Sequence, residues 1–387
     1  MLGMLITIGA AATGTLLIVG HFVRKPKNIR IGVSFITPTV DRVTGLSSYT
    51  ESLVDAIARC VERPPLVFLT NARREVFNRL ANNVDIDWIT IPPCPRNCPF
   101  KLYRLFIHDW ACWRAKMKGC GFYASTTAAG ALFPVISQSI TLHDLYDIDK
   151  RFRPWHTVLY THALWRWAAL VSRWIICVSA STAEEAKSFV PFATKKLRVI
   201  KEASKYTPQD RGYASKTASF IFVANIQPTK NVECLLEAIR RADGEFNVDW
   251  VGWDPEGIVE DWMAQHGSVV GFKACGSVSD AELCDAYCRA AALIVTSFSE
   301  GFCLPVLEAH ALGVPVIASD IPTLREVAGA GALYFNLHDP DALLSAMRKL
   351  NGDAGLRERL KRAALANARL YSWDKAAAET LELLELA

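Results

Sequence analysis

Residues 292–318, ALIVTSFSEGFCLPVLEAHALGVPVIA, decide how this chain folds. Ala292–Ser297 opens with a run of apolar residues, the pattern of a strand buried on both faces. Pro305–Leu312 reads as a helix, because a proline in the first turn gives up only an N–H that has no partner there. Val314–Ala318 is a second buried strand. Strand, helix and strand in so short a span predict a parallel βαβ unit. The turn between the first strand and the helix carries Glu300. In open parallel sheets such turns line the ligand crevice, and the free N–H groups at the helix start suit an anion. Glu308, about one turn into the helix, can point back to the same place. A local role fits Glu308 equally well, capping its own helix or offsetting the helix dipole.

The alternation continues outward from this unit. Upstream lie the helix Asp280–Ala291, the strand Asn247–Gly252, the helix Asn231–Arg241 and the strand Phe220–Ala224. A polar, irregular stretch, Lys195–Lys216, reads as a linker. Before it, strands are expected at Ile29–Phe35, Leu66–Thr70, Trp88–Ile91, near Phe122–Ser125, at Ser139–Leu142 and at Ile175–Ser179, with a helix at Ser48–Cys60. The expected class is α/β: a Rossmann-like domain over 28–195 and another over 216–370, facing a cleft. An amphipathic helix in 371–387 is expected to pack back on the first domain. The chain has 387 residues, half of them apolar, enough for two cores.

A net charge of +4 without a concentrated basic stripe argues against nucleic acid. The 11 cysteines are scattered, which points to reduced thiols in a cytoplasmic body. Cys94 and Cys98, like Cys284 and Cys288, are spaced too loosely for a zinc site, and no metal is expected. Leu2–Phe22 holds no charged residue, and Arg24, Lys25, Lys27 and Arg30 follow it. About 20 apolar residues span a bilayer. Residues 1–23 therefore read as a transmembrane anchor, with the positive flank and the remaining chain on the cytoplasmic side. A peripheral hairpin, an uncleaved export signal or a misassigned start remain alternatives. Lys101–Lys118 mixes aromatic and basic residues at helical spacing, as a helix lying on a membrane surface does. Arg151–Trp174 has similar composition and reads more readily as a core helix.

The stretch Ser299–Ala309 resembles the Glu-x7-Glu motif of glycosyltransferase family 4, commonly written E-G-F-G-L-P-x-x-E-A. Residues 278–302 and 313–343 resemble its flanking segments. Thr141–Leu145 (TLHDL), Ile176–Ser181 (ICVSAS) and Thr44–Thr50 (TGLSSYT) resemble motifs of its first domain. The resemblance implies the GT-B fold and retaining transfer of a hexose, mannose first, from a GDP- or UDP-linked donor. With the anchor, the basic, aromatic segment suggests an acceptor that is a membrane-associated or lipid-linked saccharide; the scheme the resemblance implies requires neither cofactor nor metal. The catalytic pair would be His143, orienting the sugar, and Glu300, holding its hydroxyls. Glu308 would bind the ribose. Lys230 and the backbone of Gly301, Phe302, Cys303 and Leu304 would hold the diphosphate, whose charge grows as the sugar leaves. The loop at Gly45 would approach the ligand. Asp144, Asp147 and Asp149 resemble a metal cluster but fall in a turn.

Outside the Glu-x7-Glu motif the pattern departs at two places. Ala224-Asn225-Ile226-Gln227-Pro228-Thr229-Lys230 lacks the family's glycine and the cation before the lysine, which bears on the donor site. Val199–Ser204 replaces a Pro-Asn-Gly turn, and Lys201 or Lys205 could supply charge there. Two other functions use the same fold class: a nucleotide-sugar epimerase, and a non-catalytic partner in saccharide assembly.

Overall fold

The computed structural model describes residues 30–60, 63–80, 83, 85–209 and 219–385. The anchor expected at residues 1–23 lies outside them. Among the described residues no helix is long and apolar enough to cross a membrane.

The first domain runs β1 (Arg30–Phe35), α1 (Gly45–Arg59), β2 (Leu66–Thr70), β3 (Ile86–Thr90), α2 (Phe100–Met117), β4 (Cys120–Ser125), β5 (Ser137–Leu142), α3 (Trp155–Val171), β6 (Trp174–Cys177), α4 (Ala180–Phe189) and β7 (Leu197–Val199). Its strands pair in parallel in the order β3-β2-β1-β4-β5-β6-β7. The second domain runs β8 (Ser219–Val223), α5 (Val232–Ala242), β9 (Asn247–Val251), α6 (Ile258–His266), β10 (Phe272–Gly276), α7 (Asp280–Arg289), β11 (Leu293–Val295), α8 (Leu304–Ala311), β12 (Val316–Ser319), α9 (Pro322–Ala328) and β13 (Ala332–Phe335). The helices α10 (Pro340–Gly352), α11 (Ala354–Ala368) and α12 (Trp373–Glu385) complete the chain. The second sheet has the order β10-β9-β8-β11-β12-β13, the doubly wound arrangement.

The strands read as buried runs because helices cover both faces. Val67, Phe68 and Leu69 of β2 and Phe220 and Ile221 of β8 have no exposed surface. The order reverses between β1 and β4 in one sheet and between β8 and β11 in the other, so both crevices open at strand carboxyl ends.

Most boundaries shift by a residue or two from the sequence reading, and two of the differences have a clear physical cause. The start of the expected linker, Leu197–Val199, hydrogen-bonds to β6 as an edge strand. Helix α1 begins at Gly45, three residues early, because Thr44 caps it: its hydroxyl accepts from the Ser47 N–H and the Ser47 side chain returns to the Thr44 N–H. Helix α12 crosses back to the first domain. Trp373 lies edge-on to Tyr49 at 5.7 Å, and Trp174 Nε1 donates to the Leu383 carbonyl at 3.0 Å.

Candidate active site

Lys230 is placed by backbone. The short turn Pro228–Lys230 is pinned to the end of β11 by two bonds: Phe298 N–H donates to the Thr229 carbonyl at 2.8 Å, and the Thr296 hydroxyl donates to the Lys230 carbonyl at 2.6 Å. Asn231 then takes a left-handed conformation, φ 49°, and starts α5. The result sets Lys230 Nζ 2.7 Å from Glu300 Oε1, which also accepts from the Ser297 hydroxyl at 2.6 Å. Burial works against a charged lysine here, but the Glu300 carboxylate outweighs it and holds the ammonium above its ordinary value.

Gly301 is the tightest point of the cleft. A Cβ on it would stand 1.4 Å from the His143 carbonyl oxygen and 3.2 Å from the Asp144 nitrogen, both backbone atoms of the other domain. The Thr182 hydroxyl, on α4, donates to the Gly301 carbonyl at 3.1 Å across the same gap. Only glycine permits this approach. Cys303 follows with φ 79° and ψ 71°, a left-handed conformation, at the head of α8. Burial first, then the nearby Glu300, pushes its thiol well above the ordinary range, while Lys230 opposes them and Glu308 acts in the same sense from the other side. The thiol thus sits among the residues assigned to the donor.

Glu308 is buried, not solvated. Its Oε2 accepts from the Tyr287 hydroxyl at 3.0 Å, and Lys205 Nζ lies 3.7 Å from Oε1. Burial raises its carboxyl, opposed by Lys205 and Tyr287. Lys205, one of the two lysines in or beside the departed turn, thus reaches the motif. Lys201 instead pairs with Glu326 at 2.8 Å.

His143 is locked by protein on both sides of its ring. Nδ1 meets Glu202 Oε1 at 3.2 Å, Nε2 meets the Thr126 carbonyl at 2.9 Å, and Tyr49 stacks edge-on at 4.6 Å. A carbonyl accepts only, so Nε2 carries a proton, and the carboxylate favours one on Nδ1. Burial lowers the imidazole, but the hydrogen bond and charge of Glu202 outweigh it and hold the ring above its ordinary value. For His143 to meet a sugar hydroxyl through its ring, one of these bonds has to open.

The remaining predicted residues divide. Phe302 is 3 % exposed and packs against Tyr371, so only its backbone is free for a ligand. Leu304 is the first residue of α8 and packs on the core. Gly45 is exposed, and a Cβ there would meet nothing within 4 Å, so no protein atom requires the glycine. Asp147 and Asp149 pair with Arg153 and Arg151, at 2.9 and 2.6 Å, and Asp144 accepts from the Tyr146 N–H.

Sequence reasoning passed over Glu202, Tyr287 and Glu326. Glu202 carried a signal, since it is an acid inside the stretch that replaces the family turn. Tyr287 carried none, being one apolar-face residue of a helix. A small cavity of about 120 Å³ opens at Ser299, the residue before Glu300, walled on the other side by Tyr146, Arg151 and Phe152 of the first domain.

Two α/β domains whose strand ends converge on such a cleft define the GT-B glycosyltransferase architecture. The solved structures agree in fold. Sucrose-phosphate synthase from Thermosynechococcus elongatus superposes with a TM-score of 0.73 at 16% identity, covering 93% of this chain and 99% of that one. Anabaena HepE, in complex with UDP-glucose, gives 0.70 at 14% identity, over 93% and 100%. Residues 206–366 match the family described as glycosyl transferases group 1. The second domain therefore bears out the resemblance read from its motifs. The O-antigen chain mannosyltransferase B of Escherichia coli is 29% identical over 190 residues, 47% of this chain and 48% of that protein. A D-inositol 3-phosphate glycosyltransferase of Nocardioides sp. is 31% identical over 211 residues, 47% and 46%. The chain spans about half the length of these curated relatives.

Proposed function

We propose that the chain is a retaining hexosyltransferase that moves a sugar, mannose first, from a nucleotide-sugar to a saccharide or lipid-linked acceptor at the cytoplasmic face of a membrane. The observation that carries this reading is the Lys230–Glu300 pair, 2.7 Å long, set at the head of α8 and facing the His143 loop across the cleft. A sugar pyrophosphate needs a cation and free N–H groups where its leaving charge develops. Lys230 and the start of α8 offer both. Glu300, with one oxygen on Lys230 and Ser297, has no hydrogen bond from the described residues on its other, which accepts from sugar hydroxyls. Glu308 takes the ribose, oriented by Tyr287. Arrival of the diphosphate gives Lys230 a second anion, so the ammonium stays charged throughout. The nucleophile is the acceptor hydroxyl, attacking the face from which the diphosphate departs.

Mannose is supported by the mannosyltransferase name of the Escherichia coli relative. A uridine donor is supported by the UDP-glucose complex of Anabaena HepE. The test is a panel of GDP- and UDP-sugars supplied to the full chain with membrane lipid extract, scored for labelled lipid. Glu300→Ala and Lys230→Ala are each expected to cut product at least about tenfold, the loss of one charge-assisted contact. Unchanged rates in both would remove these roles. A chain that binds no nucleoside diphosphate at all would be a non-catalytic partner instead, and turnover without acceptor would mark an epimerase.

A further inference from the structure

Most of the large exposed apolar side chains of the first domain lie on α2, α3 and the loop before β5. On α2, Leu102, Phe106, Trp113 and Met117 form a single stripe, spaced four, eleven and fifteen residues from the first. On α3, Trp155, Leu159, Trp167 and Leu170 form another. The helices are neighbours: Lys101 Nζ donates to the Thr157 hydroxyl at 2.8 Å and the Tyr160 hydroxyl to the Lys101 carbonyl at 2.5 Å. The loop before β5 fills the space between the stripes. Phe133, 72% exposed, lies 6.4 Å from the Trp167 ring, and Trp167 Nε1 bonds the Leu132 carbonyl. Apolar surface of this extent is not left to water without a use.

Charge says what it meets. Lys101, Arg104, Arg114 and Lys116 belong to α2, whose acid, Asp109, is spent on the Phe133 N–H. Helix α3 carries Arg166 and no acid. Tryptophan, phenylalanine and leucine set among lysine and arginine suit the boundary between acyl chains and anionic headgroups. The chain end points the same way. Arg30, where the described chain begins, donates to the Lys118 carbonyl at 3.2 Å, next to Met117 at the end of the α2 stripe. Residues 23–29 alone separate that point from the uncharged run Leu2–Phe22, a reach of at most about 25 Å.

We propose that the face made by α2, the 132–136 loop and α3 seats on an anionic lipid bilayer and presents the interdomain cavity to it. Trp155, 73% exposed, opens α3 directly after Arg151 and Phe152, which wall the cavity against Ser299. The surface therefore runs from the membrane to the residue before Glu300, and it is the route by which a lipid-linked acceptor reaches the site. The lipid partner deepens the acceptor reading above, but its test reads position and not transfer, so either can fail alone.

The full chain is reconstituted in phosphatidylcholine vesicles with brominated acyl chains, with and without phosphatidylglycerol, and its tryptophan emission is followed. Bromine quenches only rings that enter the bilayer. The expected result is quenching that deepens with phosphatidylglycerol and falls by at least about half in the variant Trp113→Phe, Trp155→Phe, Trp167→Phe. Leu102→Glu with Leu159→Glu, which keeps every tryptophan and changes two exposed positions, is expected to lower it likewise. Equal quenching in the parent and both variants overturns the proposal. So does emission from these three tryptophans that is already shielded yet unquenched, the signature of a face covered by residues 2–22 or by a second copy.

Discussion

Cys303 stands where the family pattern writes glycine, and its backbone keeps the glycine conformation, φ 79°. A side chain held there costs about 1–3 kcal/mol, whereas a glycine costs about 0.4–1 kcal/mol in the unfolded chain. Cys303→Gly is thus expected to stabilise the fold by roughly 1 kcal/mol, read by urea unfolding. A loss of that size would mean that packing of the thiol outweighs the strain. His143 and Glu202 make a prediction with a pH sign. The imidazole is held above its ordinary value in the fold, so the pair's stability is fully present below the unfolded value and is lost as pH rises through the folded one. Glu202→Gln should cost about 1.5–3 kcal/mol near pH 5.5 and much less near pH 9. It should also move the His143 titration, followed by NMR, downward. An equal cost at both pH values would mean that the ring is neutral in the fold.

At the scale of elements, the start of α4 shows how the two domains are joined. Its first N–H groups lack partners within the helix. Ser179 Oγ accepts from Thr182 N–H at 2.9 Å, and the two oxygens of Glu326, from α9 of the other domain, accept from Ala180 and Ser181 at 3.0 Å each. A helix start in one domain is therefore capped by a carboxylate of the other. Burial opposes the charge on Glu326, but Lys201 and the two amides outweigh it and hold the carboxyl below its ordinary value. Its contribution is therefore present above the unfolded value and lost as pH falls through the folded one. Glu326→Ala is expected to cost about 1–3 kcal/mol near pH 7, from two amides left unpaired, and to lose that effect on acidification. Acid-to-neutral denaturation curves of parent and variant check it; parallel curves would remove the interdomain cap.

At the scale of the molecule, the sequence exposed what repeats and what is local. Buried strands such as Leu66–Thr70 stand out because both faces are covered. The Glu300 turn stands out by its setting, just past an apolar strand and before a helix that proline opens, and by its resemblance to the family motif. The motif segments around Ser179 and Glu326, and around His143 and Gly301, were legible one at a time. That they meet was not, since the distance between them is set by how two sheets face each other. Glu202 was hidden by distance along the chain: its partner lies 59 residues away, past the end of another strand of the same sheet. Edge strand β7 was missed because three residues show no periodicity.

That meeting yields a last prediction. At Gly301 the two domains touch main chain to main chain, beside the bond from the Thr182 hydroxyl: the position of a Cβ is taken by the carbonyl of His143, the residue that follows β5. Gly301→Ala is accommodated by separating the domains, not by local repacking. The bonds from Thr182 to Gly301 and from Glu326 to α4 then lengthen together. Each domain keeps its own core, so circular dichroism should be unchanged while small-angle scattering shows a larger radius of gyration. Because a misplacement of about 1 Å at a reacting site costs on the order of a hundredfold, transfer should fall by about that factor. An unaltered scattering curve together with full transfer would show that the cleft works more open than it stands here, and that the Gly301 contact belongs to a resting state.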